Sequence, residues 1–197
     1  MSPAHDDETP PPGSEVTAGL RDEHALILRG TVALERCGAR LAASGGSDPV
    51  EVDRLTALLA FFRDFADIRH HGKEEEALIP SVISSGVAPN ADTLRDVMDE
   101  HLLVKELLLQ LTSGDRATLV AVIPRFAGFL REHMQLEERV LFPFVERTLD
   151  AATKLRVQRE FDQIDARAGT AEAFASYERL IDELLVPLNE LGVSPTR

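Results

Sequence analysis

Among 197 residues there is one cysteine, one tyrosine and no tryptophan. A single cysteine, Cys37, excludes an internal disulfide framework and any multi-cysteine metal site, and makes a cytoplasmic protein the default expectation. With no tryptophan and one tyrosine, a stacking platform for single-stranded nucleic acid is not expected. Long apolar runs are also missing. The longest spans 57–62, far short of a membrane span. Basic residues are outnumbered, with Lys+Arg 21 against Asp+Glu 34 and a formal charge of −13. No basic stripe is available to neutralise phosphates, so neither nucleic acid nor an anionic membrane is expected as a partner. The first residues have neither the basic start nor the apolar core of a signal peptide. No alternating run of β-branched residues is bounded by turn signals, so no strand is expected.

What the chain does have is helical periodicity. Residues 1–14, with four prolines and three acids, carry none and read as a disordered tail. From Val16 onward Leu20, His24, Ile27, Thr31, Leu34 and Leu41 share one helix face. Gly45 and Gly46 stop that helix, and Pro49 can open the next. A second helix over about 50–80 aligns Leu55, Leu59, Phe62, Ala66, His70, Glu74 and Ala77. A third, over about 91–111, aligns Leu94, Val97, Met98, His101, Val104 and Leu108. Asp115 caps a fourth, over about 116–149, in which Pro124 and Pro143 predict a kink or a restart. The expected fold is all-α: an up-down-up-down four-helix bundle over 15–149. Residues 150–192 read as a C-terminal helical hairpin, capped by Asp150 and Thr170, packed on the bundle or on a partner.

The bundle is an internal repeat. HHGKEEEALIP at 70–80 and HMQLEERVLFP at 133–143 are identical at five of eleven positions. Upstream, DEHALILRG at 22–30 pairs with DEHLLVKEL at 99–107. Two arbitrary amphipathic helices would share leucines; these share histidines and acids on the apolar side. The chain is therefore a duplicated helical hairpin.

The repeated residues carry the chemistry. His70 and Glu74, like His133 and Glu137, lie one turn apart on one face. A carboxylate and an imidazole facing a bundle core are costly unless paired or bound to metal. His24 and His101 add one imidazole from each remaining helix. Four histidines and two glutamates thus converge, a nitrogen and oxygen donor set with carboxylates able to bridge two metals. Such a set suits iron, or manganese as second choice, better than zinc. His71, rotated about 100° from His70, falls with Asp64, Asp67 and Glu75 and reads as a surface residue. His5 lies in the tail. Glu75 and Glu138 read either as acceptors behind the ligands or as surface acids, Lys105 and Arg139 as solvated, and Cys37 as a small buried residue.

Glu23-His24, His70…Glu74-Glu75, Glu100-His101 and His133…Glu137-Glu138, with the Leu-Ile-Pro and Leu-Phe-Pro tails, occur in an order that resembles the hemerythrin-like (HHE) cation-binding family. The resemblance covers about 15–149. It implies two non-haem irons joined by an oxo or hydroxo bridge, with His24, His70, His101 and His133 as terminal ligands and Glu74 and Glu137 as bridging carboxylates. Oxygen-carrying hemerythrins have a fifth histidine one turn before the third-helix histidine; that position here is Val97. The departure leaves a coordination position for water, a substrate, Glu23, Glu100 or Tyr177. Hemerythrins take the second bridge five residues after the fourth-helix histidine, which is Glu138; the internal repeat favours Glu137.

The expected function is a di-iron protein that binds or senses O2, NO or peroxide, or takes part in iron homeostasis. The alternatives are a di-iron enzyme (peroxide dismutation, NO reduction or iron–sulfur repair) and an interaction module with a structural metal. The repair proteins of this family usually carry a cysteine in an N-terminal segment, and this tail has none. The expected partners are a small diatomic or peroxide ligand and a second copy of the chain, docked through the C-terminal helices.

Overall fold

A computed structural model describes residues 15–46, 48–87 and 91–186. The tail at 1–14 with His5, and the end of the chain from Pro187 onward, lie outside the described residues. Six helices make up the fold: α1 (Ala18–Ala43), α2 (49–84), α3 (Ala91–Ser113), α4 (116–148), α5 (Ala151–Ala168) and α6 (Ala171–Leu185). Among the described residues there is no strand, and no helix is long and apolar enough to cross a membrane.

The helix boundaries follow local chemistry. Gly45 and Gly46 close α1 at φ of 76° and 79°, a region that side chains with a Cβ rarely adopt. Asp48, Asp115, Asp150 and Thr170 each accept a backbone N–H of the following first turn, giving α2, α4, α5 and α6 a side-chain cap. Pro80 does not end α2, as the sequence suggests, and Pro143 does not break α4. Each is preceded by a widened turn, Glu74–Leu78 in one helix and Glu137–Leu141 in the other. There the N–H of Ile79 reaches the carbonyl of Glu74, and that of Phe142 reaches Glu137, five residues back. A proline cannot donate, and its ring strikes the carbonyl four residues earlier; the wider turn absorbs both problems. The same turn changes which residues face inward. Val140, seven residues after His133, is 40% exposed, and Leu141 is buried in its place.

Two apolar clusters fill the bundle, with a layer of histidine and glutamate between them. Ile27, Leu34, Leu58, Phe62, Leu107, Phe126 and Leu130 belong to one. Leu20, Leu78, Val97, Leu141 and Phe142 belong to the other. Along α1 and α3 the chain passes from the second cluster through the polar layer into the first, and along α2 and α4 it returns. Gly30 lets α1 close on α2: a Cβ there would lie 2.5 Å from the Phe61 ring. The C-terminal hairpin packs on the α1–α2 face. Val157, Phe161 and Ile164 of α5 join the second cluster, and Ile181 and Leu184 of α6 join the first. Burying such side chains contributes about 1.5–3 kcal/mol each, enough to fix the hairpin against the bundle.

Candidate metal centre

Every helix of the bundle sends an imidazole into the polar layer: His24 from α1, His70 and His71 from α2, His101 from α3 and His133 from α4. Glu74 and Glu137 lie among them, both fully buried. Glu137 spans the layer. One of its oxygens is 3.2 Å from His24 Nε2, and the other is 3.3 Å from His133 Nε2 and 3.5 Å from His101 Nε2. Glu74 Oε2 lies 3.4 Å from His101 Nε2 and 3.9 Å from His70 Nε2. Two donor groups result, His71, Glu74, His101 and His133 on one side and His24, His70, Glu74 and Glu137 on the other.

Behind the donors runs a closed ring of carboxylates, each reaching the histidine of the next helix. Glu23 of α1 accepts from His70 Nδ1 at 3.0 Å, and Glu75 of α2 from His101 Nδ1 at 3.0 Å. Glu100 of α3 accepts from His133 Nδ1 at 2.8 Å, and Glu138 of α4 from His24 Nδ1 at 2.9 Å. An ionised carboxylate can only accept, so each Nδ1 carries a proton and each Nε2 faces the interior, where its lone pair serves a metal once any proton there is displaced. The repeat explains the ring. In each hairpin the acid of Asp-Glu-His serves its own second helix, and the acid after the inner glutamate serves the other hairpin. Glu75 and Glu138 are thus acceptors rather than surface acids. Lys105, expected to be solvated, holds Glu75 at 2.8 Å and 3.0 Å.

The inner face of the ring is unsatisfied. Nε2 of His24, His70, His101 and His133, and both oxygens of Glu74 and of Glu137, are buried without a hydrogen-bond partner. Orphaned buried polar atoms are costly one at a time, and eight converging on one layer call for a cation. Electrostatics point the same way. Burial opposes the charged form of His101, yet Glu137, Glu74 and Glu75 outweigh it and hold the imidazole up at about 11. His24 is raised likewise, against burial, chiefly by Glu137. Burial raises the Glu137 carboxyl, but His133, His101 and His24 hold it well below the ordinary range. In the metal-free chain protons on His24 and His101 balance the acids, and metal would displace them.

A sequence profile of the hemerythrin HHE cation-binding domain matches residues 15–145 and again 92–186. The chain belongs to this family. Comparison with curated proteins and with solved structures returned no match. For an HHE domain the donor set fits a cation: nitrogen and oxygen atoms only, unpaired, convergent and shielded from water.

The structure corrects the sequence reading at His71. It is 1% exposed and stacks on the His101 ring at 4.1 Å, inside one donor group. The cause is backbone geometry. Over Phe62–His71 the helix is widened, with more residues per turn, so the 100° step of a regular helix fails and His70 and His71 both turn inward. Burial, and then the neighbouring His101, His133 and His70, push its pKa well below the ordinary value, so it stays a neutral donor. The position left by Val97 is also reread. Val97 sits fully buried in an apolar cluster, and the fifth imidazole of this HHE domain comes from α2. Glu23 and Glu100 stand behind His70 and His133, and the Tyr177 hydroxyl donates to Asp64 at 2.8 Å. None of the three faces the interior donors. Glu138 likewise stands outside the group that contains Glu137. Cys37 is buried in the apolar core, its thiol pushed up to about 12 chiefly by burial.

Proposed function

We propose that the centre holds two iron ions and serves to bind or sense O2, NO or peroxide, or takes part in iron homeostasis. The observation that carries this reading is the donor count: five imidazoles and two carboxylates in one buried layer, each with an atom that lacks a hydrogen-bond partner. Zinc is ordinarily satisfied by four ligands, whereas a larger nitrogen and oxygen set with carboxylates reaching both sides suits iron, with manganese second. Bound iron would supply reversible electron transfer to a small ligand. The protein does the rest. Glu74 and Glu137 offset part of the metal charge, the outer carboxylates fix the imidazole tautomers, and the two apolar clusters exclude bulk water.

The two sides of the layer are unequal, which favours binding of a small ligand over a purely structural metal. In the repeat Met134 stands where His71 stands, so the His101 side has three imidazoles and the His24 side has two. Beside the poorer side lies a cavity of about 190 Å³, lined by His24, Leu28, Arg131, Met134, Gln135 and Glu138. It is open on one side and admits a small ligand to His24. Iron content together with the absorption spectrum, before and after O2, NO and peroxide, tests the reading. We expect close to two irons per chain and a spectral change with at least one of the three. Less than one iron per chain after anaerobic loading would overturn it.

A further inference from the structure

The four corners of the carboxylate ring differ in what stands behind them. Glu138 meets Arg21 at 3.0 Å at the surface, and Glu75 meets the half-exposed Lys105. Among the described residues no cation lies within ion-pair distance of Glu100. The His70 corner is the buried one, and it alone continues into the C-terminal hairpin. Glu23 Oε1 takes Lys73 Nζ at 2.6 Å and Arg69 Nη2 at 3.3 Å. Both cations then meet Asp165 of α5, each at 2.7 Å from Oδ1. Lys73 is 4% exposed, so water screens this chain of contacts poorly.

We propose that Asp165 is a positioning residue for the metal centre, setting through Lys73, Arg69 and Glu23 how strongly His70 donates. This rests on reading the layer as a metal site. A carboxylate behind a ligating imidazole raises its basicity. Lys73 and Arg69 draw on the carboxylate of Glu23 and weaken that effect, and Asp165 takes up part of their charge and restores it. The C-terminal hairpin thereby reaches the His24–His70 side of the centre without touching it, and among the described residues the His101–His133 side has no such connection.

The test is the reduction potential of the iron-loaded full chain, with the Nδ1–H proton resonance of His70 in zinc-loaded protein as a second readout. Asp165→Asn leaves the cations acting on Glu23 alone. It shifts the potential of one iron upward and moves the resonance upfield. Lys73→Gln does the reverse on both readouts. Since Lys73 is buried, Arg69→Gln serves as a second variant with the same expected sign as Lys73→Gln. Opposite shifts at unchanged iron content and unchanged helical circular dichroism support the proposal. Shifts in the same direction, or none, overturn it, because a merely structural contact would loosen the site in one direction whichever partner is lost. Zinc loading keeps the two readings separable: a chain that took up zinc but no iron would defeat the di-iron proposal while the His70 resonance still decided this one.

Discussion

The two hairpins of the bundle descend from one pattern and have diverged in three places. Position 71 of the first is histidine and its counterpart in the second, Met134, is a core methionine. Position 30 is glycine, making room for Phe61, and its counterpart, Leu107, fills the core instead. The first hairpin is covered by α5 and α6. The second hairpin's outer acid Glu100 is 30% exposed, against 8% for Glu23. What stayed the same is the ring of four histidines, two inner glutamates and four outer ones. Duplication supplied a symmetric centre, and three local changes made its two sides chemically different.

The largest effect is expected from the shared residues. Glu137→Ala removes a carboxylate that approaches three histidines, and metal content should fall from about two ions per chain to below one by elemental analysis. The comparison of hairpins is tested by exchanging its distinguishing residue. His71→Met should weaken one of the two metals by at least about 10- to 100-fold in a metal titration, the range that even an outer partner commands, and leave the other nearly unchanged. An unchanged titration would show that His71 is a passive core residue.

Packing differences should follow at smaller scale. Leu107→Ala empties a fully buried site and should cost about 2–5 kcal/mol in urea unfolding. Gly30→Ala overfills the matched place against Phe61 and should cost about 1–3 kcal/mol. The smallest effect concerns the link between α1, α4 and α5. Glu146 accepts from the backbone and hydroxyl of Thr17 at 2.9 and 2.8 Å and pairs with Lys154 at 2.7 Å. Burial raises its carboxyl, but Lys154 and Thr17 prevail and hold it below the ordinary value. A carboxylate lowered in the folded state stabilises above its unfolded pKa and loses that contribution as pH falls through the folded one. Glu146→Gln should therefore cost about 0.5–1 kcal/mol at neutral pH, since solvent screens the pair, and progressively less below pH about 4.5. A difference that held constant down to strongly acidic pH would assign the effect to shape rather than charge.

The sequence by itself determined the helices, most of their caps, the internal repeat and the burial of His24, His70, Glu74, His101, His133 and Glu137 in one layer. These are legible because apolar periodicity sets which face is buried, and titratable side chains on that face stand out against it. Pro80 and Pro143 even carried the signal for the widened turns, since a proline inside an amphipathic pattern must be accommodated by the backbone. Tertiary structure alone decided the rest. His71 turns inward because the helix widens over Phe62–His71, where no proline announces it and a fixed 100° step misassigns it. The ring of outer carboxylates needs four helices side by side, since each acid serves a histidine on a different helix. The connection from Asp165 to His70 spans 95 positions of chain and exists only because apolar burial seats α5 against α2. Periodicity reports which way a side chain points; which neighbour it meets is settled by how the helices pack.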